Sequence, residues 1–197
     1  MLALKPVDEV CIERALRLAA QSLFLSNPNP RVGCVLVGVD GQVIGEGHTQ
    51  RAGGPHAEVM ALAQARERGQ ATAGATAYVT LEPCSHHGRT GPCCEALIAA
   101  GITRVVASIE DPNPKVSGRG FDRLRAAGIA VETGPGAAQS RELNIGFFSR
   151  MQRGVPWVRV KTAASLDGKT ALPNGTSQWI TSQSARDDGH AWRARAC

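Results

Sequence analysis

Aromatic residues and long apolar runs are both scarce in this sequence. Phe, Trp and Tyr together make up 4% of the 197 residues, and so few stacking side chains argue against a protein that binds nucleic acid. No segment approaches the roughly 18 consecutive apolar residues that a membrane span requires. The first nine residues include Lys5, Asp8 and Glu9 and lack the apolar run of a secretory signal. We therefore expect a cytoplasmic protein that binds neither nucleic acid nor membranes.

The sequence does contain enough apolar residues for a core, together with a small excess of positive charge. Apolar residues make up 43% of the chain, which excludes wholesale disorder. The 22 basic and 17 acidic residues give a formal net charge of +5. A mild excess of this kind favours a small anionic substrate as the binding partner.

Helical and extended patterns alternate along the first 150 residues. Predicted helices cover residues 7–25, 58–68, 93–100, 121–127 and 138–150, and predicted strands cover residues 32–39, 43–47, 75–81, 104–109 and 129–133. Asp40 and Gly41 are typical of a hairpin turn between the first two strands. This alternation predicts an α/β domain over residues 1–150, with helices on both faces of a mixed sheet.

The composition changes after this domain. All three tryptophans lie in the last 41 residues. Residues 157–163 are predicted to form a strand, residues 165–169 a turn and residues 184–197 a helix. One strand and one helix cannot bury a core of their own. We therefore expect residues 151–197 to be the first part of a second domain, cut short.

Three short segments carry candidate chemistry. His56 and Glu58 lie at the start of one predicted helix. Cys84 follows a predicted strand, and Cys93 and Cys94 begin the next helix. Strand ends and helix starts gather at one edge of an α/β sheet, which is where ligands bind. One imidazole and two thiolates suit a catalytic zinc ion that keeps one position for water.

The position of Cys93 favours it over Cys94 as the third ligand. Cys93 comes first at the helix start, where the partial positive charge of the helix lowers a thiol pKa. Cys94 points about a hundred degrees away around the helix. Glu58, two residues after His56, can reach a zinc-bound water and move its proton without binding the metal.

A structural zinc site is the alternative from a different class of protein. Such a site is closed by four protein ligands, and His86, His87 or Cys94 would have to be the fourth. A site of this kind would belong to a nucleic-acid-binding module, in which Glu58 would have no chemical role. A His-x-Glu pair or a Pro-Cys pair alone is commonplace, but both in order around a strand are much rarer.

These segments resemble the signature of zinc-dependent nucleobase deaminases, which is His-x-Glu followed by Pro-Cys-x-x-Cys. The sequence departs from that signature because eight residues, not two, separate Cys84 from Cys93. A nucleoside, nucleotide or tRNA deaminase with the same core therefore remains an alternative to a more specific assignment.

The long loop between the cysteines belongs to a more specific resemblance. Several motifs are similar to those of the bifunctional riboflavin-biosynthesis deaminase/reductase family. In the first 150 residues they are NPNPRVGC (27–34), GEGH (45–48), HAE (56–58), TLEPCSHHGRT (80–90) and DPNP (111–114), and in the remainder VKTAASLDGK (160–169) and SQWIT (177–181). Gly91 departs from the family pattern, which usually has proline there. The match covers nearly the whole chain.

The resemblance implies a fold and a reaction. The fold is a cytidine-deaminase-like three-layer α/β/α sandwich with a mixed sheet, followed by an incomplete dihydrofolate-reductase-like α/β segment. The reaction is zinc-dependent hydrolytic deamination of diaminohydroxyphosphoribosylaminopyrimidine with release of ammonia. Glu58 would act as the catalytic proton carrier, and His56, Cys84 and Cys93 would bind Zn²⁺.

The resemblance also implies roles for substrate-binding residues. Asn27 could bind the base edge, because an amide both donates and accepts hydrogen bonds. The substrate carries a phosphate, for which Arg89 is the first candidate and His86 the second. The family is compatible with a homo-oligomer, but the sequence does not determine the oligomeric state.

The tail carries positions that match the reductase domain of the family, which reduces the deaminated product with NADPH. The resemblance assigns Lys161, Ala163, Ser165, Asp167 and Trp179 to the cofactor, and Ser177 and Arg193 to the reductase substrate. Because most of that domain is missing, we expect an incomplete reductase site without activity of its own.

Overall fold

The computed structural model describes residues 4–88 and 91–195. Helices and strands alternate along most of this part of the chain. In chain order they are α1 (Pro6–Ala20), β1 (Gly33–Val37), β2 (Val43–His48), α2 (Ala57–Glu67), β3 (Thr76–Val79), α3 (Cys93–Ala99), β4 (Arg104–Ala107), α4 (Arg119–Ala126), β5 (Ala130–Thr133), α5 (Ala137–Leu143), α6 (Ile145–Arg153) and α7 (Gln183–Ala194).

The five strands form one mixed sheet in the order β2-β1-β3-β4-β5. β1 is antiparallel to both β2 and β3, and Gly41 occupies the left-handed region in the predicted hairpin turn. β3, β4 and β5 are parallel. The carboxyl ends of these three strands therefore meet at one edge, where α/β proteins place their ligands.

Side chains of each strand alternate between two hydrophobic clusters, one on each face of the sheet. Cys34 and Leu36 of β1 pack into a cluster with residues of α2, α3 and α4, whereas Val35 and Val37 pack with residues of α1. Successive side chains of a strand point to opposite faces of the sheet, so both sets are buried when helices cover both faces. The predicted three-layer α/β/α sandwich with a mixed sheet is confirmed.

The start of α2 lies unusually close to β2. A Cβ atom on Gly47 would lie 2.4 Å from the backbone oxygen of Ala57, and one on Gly45 would lie 2.2 Å from that of Ala61. Only glycine permits this approach of helix and strand. The two glycines thereby fix where α2 begins, and with it the position of His56.

The helix predicted over residues 138–150 is wrong as a single element, because α5 and α6 are separated at Asn144. The buried Asn144 side chain accepts a hydrogen bond from the backbone N–H of Arg31 at 2.7 Å and donates to the Arg31 carbonyl at 2.9 Å. Asparagine readily leaves helical geometry when its side chain bonds to backbone groups.

Residues 157–195 form a unit separate from residues 4–156. The strand predicted over residues 157–163 is wrong, since no strand is present in the described part of this unit. The predicted turn is present, where the Ser165 N–H donates to the Lys169 carbonyl at 2.9 Å. The predicted helix is also present as α7, and the Ser182 hydroxyl accepts from the Ala185 N–H at its start.

The unit boundary follows Pro156, and the assignment of residues 1–150 and 151–197 to a deaminase domain and a truncated reductase domain stays a prediction. No helix in the described part of the chain combines the length and the apolar character required to cross a bilayer.

Candidate metal centre and substrate cavity

Three donor atoms converge at the edge of the sheet. His56 immediately precedes α2, Cys84 lies beyond the end of β3, and Cys93 is the first residue of α3. Their ligand atoms all lie within 4.8 Å of one another. His56 Nδ1 is 3.6 Å from Cys84 Sγ and 3.3 Å from Cys93 Sγ. The structure thus brings together the residues predicted to bind zinc.

This donor set fits a zinc ion in chemistry and in spacing. A tetrahedral zinc with usual bond lengths separates a nitrogen and a sulfur ligand by about 3.6 Å. The Cys93 backbone N–H also points at Cys84 Sγ, 3.3 Å away, which favours a thiolate there. One imidazole and two thiolates leave a fourth position, as catalytic zinc sites do.

Cys94 lies in the hydrophobic core with Leu97, outside the cluster of donor atoms. Burial raises the pKa of its thiol to about 11, so it stays a neutral apolar side chain. The helical rotation between adjacent residues explains why Cys93 faces the cluster and Cys94 faces the core.

A hydrogen bond joins the two clustered cysteines. The Cys93 thiol donates it to Cys84 Sγ, and chiefly this bond, with a second contribution from His56, lowers the pKa of Cys84. The same hydrogen bond raises the pKa of Cys93. A bound divalent cation favours the thiolate form of both residues, so the cluster is suited to holding one.

Glu58 lies in the first turn of α2 and is 3% exposed. Burial first, and the nearby Cys84 second, raise the pKa of its carboxyl to about 7. A carboxyl with a pKa near neutrality can both accept and return a proton at physiological pH. The sequence-predicted proton carrier therefore has the electrostatic environment that this role needs.

A cavity of about 410 Å³ opens beside these residues. His56, Glu58 and Cys84 form part of its wall. The remaining polar and charged lining residues are Asn29, Thr49, Glu82, His86, Asp111, Asn113 and Arg150. This volume lies within the range of small-molecule sites.

The predicted substrate-binding residues fall in different places. His86 lines the cavity, and its buried Nδ1 has no hydrogen-bond partner among the described residues. Asn27 is half-buried and is not among the lining residues, although its neighbours Pro28 and Asn29 are. Arg89 lies outside the described residues. The roles of all three stay predictions.

The acidic residue Asp111 is a cavity residue that the sequence reasoning did not assign. Burial raises the pKa of its carboxyl to about 7. Its backbone N–H donates to Glu82, which also accepts from the N–H groups of Gly118, Gly120 and Phe121 at 2.9, 2.8 and 3.3 Å. Asp111 follows the end of β4 as Cys84 follows the end of β3, so the same strand-end argument could have identified it.

The predicted reductase positions are spread along residues 157–195. Lys161, Ser165, Asp167, Ser177, Trp179 and Arg193 are exposed, and Ala163 is half-buried. The Ser165 hydroxyl donates to the Asp167 carboxylate within the turn, and the Arg186 guanidinium lies 4.1 Å from the centre of the Trp179 ring. Their cofactor and substrate roles stay predictions.

Comparisons with known proteins agree with this geometry. The family model of the cytidine and deoxycytidylate deaminase zinc-binding region matches residues 5–109, and the model of the RibD C-terminal domain matches residues 156–197. The riboflavin biosynthesis protein RibD of Escherichia coli (strain K12) is 57% identical over 189 residues, which are 96% of this chain and 50% of that protein.

Solved structures are also similar to this chain along nearly its whole length. Form 1 of RibD from Acinetobacter baumannii has a TM-score of 0.89 at 51% identity, covering 96% of this chain and 52% of that one. A diaminohydroxyphosphoribosylaminopyrimidine deaminase/5-amino-6-(5-phosphoribosylamino)uracil reductase from Thermotoga maritima has a TM-score of 0.90 at 44% identity, covering 94% and 52%. The chain thus spans about half the length of the relatives it matches.

The expected resemblance to the riboflavin-biosynthesis deaminase/reductases is confirmed along both regions of the chain. The zinc-binding model covers more than half of the sequence and includes all three clustered donor residues. The chain belongs to the cytidine and deoxycytidylate deaminase family, which is defined by its zinc-binding region.

Proposed function

We propose that this protein is a zinc-dependent hydrolase that deaminates diaminohydroxyphosphoribosylaminopyrimidine. Water replaces one ring amino group, which leaves as ammonia, and the ring becomes that of 5-amino-6-(5-phosphoribosylamino)uracil. The observation that carries the proposal is the convergence of His56, Cys84 and Cys93, two of which line one cavity together with the buried Glu58.

In this proposal His56, Cys84 and Cys93 hold the zinc ion. Zinc bound there supplies a Lewis acid that makes water a nucleophile near neutral pH. Glu58 would accept one proton of the water and deliver it to the ring nitrogen. It would then accept the second proton, from the oxygen now bonded to the ring carbon, and deliver it to the departing amine, so that a C=O bond replaces the broken C–N bond. Burial raises the pKa of the Glu58 carboxyl, which favours a group that both takes up and returns protons.

Two features support diaminohydroxyphosphoribosylaminopyrimidine over cytidine or deoxycytidylate as the substrate. The loop from Ser85 to Pro92 is part of the riboflavin-family motif and adds six residues to the two of the short deaminase signature. His86 of this loop lines the cavity, and an imidazole there can hydrogen-bond to a polar ligand. The names of the T. maritima and E. coli relatives point to the same pathway.

We infer a cytoplasmic location, because a reducing compartment would keep Cys84 and Cys93 available as thiols. The five described cysteines are free. NADPH use by the tail and a homo-oligomeric state remain predictions that stand apart from the deamination.

Ammonia release by the zinc-loaded protein tests the proposal. We expect release from diaminohydroxyphosphoribosylaminopyrimidine, and release at least a hundredfold slower from cytidine and deoxycytidylate at equal concentrations. Preferred turnover of either of those two would assign the protein to another branch of the family. No release from any of the three by a zinc-replete protein would overturn the deaminase function.

A further inference from the structure

We propose that Glu82 is a positioning residue for the deamination. Its carboxylate holds the loop of residues 111–118, which forms part of the cavity wall, in place beside the metal cluster. The inference rests on the proposed deaminase function, and it assigns a role to a buried carboxyl that neither the ligand set nor the proton transfer uses.

Glu82 lies between the end of β3 and the metal cluster, two residues before Cys84, and it is 3% exposed. Its backbone N–H donates to the Ile109 carbonyl at 3.0 Å, so the chain beyond β3 stays paired with the chain beyond β4. The segment that carries Cys84 therefore runs directly beside the start of the 111–118 loop.

Both oxygens of the Glu82 carboxylate are occupied by backbone donors. Oε2 accepts from the N–H groups of Asp111 at 3.1 Å and Gly118 at 2.9 Å. Oε1 accepts from those of Gly120 at 2.8 Å and Phe121 at 3.3 Å. An ionised carboxylate has about four acceptor sites, and four donors fill them. Glu82 lines the cavity, but its hydrogen bonds act on the wall and not on a ligand.

These donors lie at the two ends of the loop. Asp111 begins it, whereas Gly118 is the N-cap of α4. The first N–H groups of a helix lack partners within the helix, and the partial positive charge there favours a carboxylate. Glu82 supplies that partner from 36 residues earlier in the chain than Gly118. One side chain therefore fixes where the loop starts and where it ends.

The start of α4 also packs against the backbone that leads to Cys84. A Cβ atom on Gly120 would lie 2.0 Å from the Pro83 carbonyl oxygen and 3.1 Å from Oε1 of Glu82. Only glycine permits this approach. The contact sets the distance between α4 and the segment of the metal ligand, and the hydrogen bonds of Glu82 hold it closed.

The loop itself contributes Asp111 and Asn113 to the cavity wall. Its internal contacts are local: the Asn113 N–H donates to the Asp111 carboxylate at 2.8 Å, and the Val116 N–H donates to the Asn113 carbonyl at 2.8 Å. Such turns shape the loop but do not fix it relative to the metal cluster. Without the carboxylate of Glu82, the wall would be in place for a smaller fraction of the time, and the apparent affinity for a ligand falls by that fraction.

Kinetics of Glu82→Gln test the inference. Glutamine keeps the size of the side chain but turns an amide NH₂ toward two backbone donors, which lose their acceptor. We expect the zinc content to be unchanged, KM for diaminohydroxyphosphoribosylaminopyrimidine to rise roughly tenfold, and kcat to fall by a smaller factor.

Two control variants separate positioning from other effects. Glu110→Gln changes an exposed carboxyl next to the same loop, and Asp8→Asn changes a buried, hydrogen-bonded carboxyl of α1; neither residue lines the cavity. Both variants should keep the wild-type KM, although Asp8→Asn lowers the stability. An equal rise of KM in Asp8→Asn would show that Glu82 acts through stability alone and would overturn its positioning role.

Hydrogen exchange gives a second readout that does not depend on turnover. The four N–H groups that donate to Glu82 should be protected in the wild-type protein. In Glu82→Gln at least one of the two pairs should exchange roughly tenfold faster. The Thr80 N–H, which donates to the Gly33 carbonyl at 3.1 Å within the sheet, should be unaffected.

Unprotected amides in the wild-type protein would overturn the inference without any variant. An unchanged KM in a folded, zinc-replete Glu82→Gln protein would do so as well. Wild-type deamination would be intact in both cases. Failure of the wild-type protein to deaminate would instead contradict the proposed function and leave the amide protection as it is, so the two proposals fail separately.

Discussion

Residues 4–156 and residues 157–195 both contain motifs of the family. The motif residues at the metal cluster are buried in the first region, whereas most matched residues of the second region are exposed. In the first region Cys93 is fully buried and Glu58 is 3% exposed. In the second, Trp179 is 68% exposed, and five of the other six matched residues are exposed as well. The pKa of Glu58 rises chiefly because burial disfavours its charge. A motif supplies the residue types, but the surrounding packing gives those residues their chemistry.

Replacing one of the two clustered cysteines should reduce zinc binding and deamination more than any other substitution described below. We expect Cys93→Ser to lose zinc and all measurable deamination, because two protein ligands hold the metal far less tightly than three. Cys94→Ser, at the adjacent core position, should retain about one zinc per chain. Metal analysis after dialysis distinguishes them, and loss of zinc from Cys94→Ser alone would contradict the ligand assignment.

Glu58→Gln should give the next largest loss of deamination activity. The amide has nearly the same shape but cannot carry a proton, so we expect zinc to be retained and the deamination rate to fall roughly a hundredfold or more. Near-normal turnover by a zinc-replete Glu58→Gln protein would show that another group moves the proton.

Whether a feature of the fold or of the site can be predicted from the sequence depends on how far apart in the chain the residues that form it lie. Local patterns predicted the strands of the sheet and the cluster of His56, Cys84 and Cys93, because motif spacing and strand ends are local signals. The helix break at Asn144 depends on Arg31, 113 residues earlier in the chain. No local sequence pattern predicts that contact.

The failed strand prediction in the tail has the same origin. Residues 157–163 have a strand-like apolar pattern, yet a β-strand is defined by hydrogen bonds to a neighbouring strand. The described part of this unit offers no such neighbour. Sequence alone indicates a preference for extended backbone but not whether a partner is available.

A buried ion pair away from the site should give a smaller, pH-dependent effect on stability. Asp8 accepts hydrogen bonds at 2.8 Å from both terminal nitrogens of Arg104 and at 2.9 Å from the Tyr78 hydroxyl. Chiefly because of the Arg104 hydrogen bonds, the pKa of Asp8 is lowered from 3.8 to about 2. A lowered folded-state pKa adds stability above pH 3.8, and this stability is lost as the pH falls toward 2.

Asp8→Asn measures that contribution. We expect the free energy of unfolding at neutral pH to fall by about 2 kcal/mol, with a weaker pH dependence below pH 4 than in the wild type. Urea unfolding at several pH values provides the measurement, and Glu9→Gln, on the exposed side of the same helix, is the control. Identical pH profiles for Asp8→Asn and the wild type would contradict the account of the ion pair.

Substitutions in the tail should have the smallest effect. Lys161 and Asp167 are exposed, so Lys161→Ala and Asp167→Ala should change the free energy of unfolding by less than about 0.5 kcal/mol. We expect the deamination rate to stay within twofold, and no NADPH oxidation by this 197-residue chain with 5-amino-6-(5-phosphoribosylamino)uracil. Steady NADPH oxidation that depends on this substrate would show that the exposed positions form a working site.

The zinc coordination itself is the most direct test of the claim that packing in residues 4–156 turns a motif into a metal centre. X-ray absorption at the zinc edge of the loaded protein should show two sulfur neighbours at about 2.3 Å and the remaining neighbours, nitrogen or oxygen, at about 2.0–2.1 Å. Three sulfur neighbours would place Cys94 in the site, and none would remove Cys84 and Cys93 from it. Either result would contradict the account.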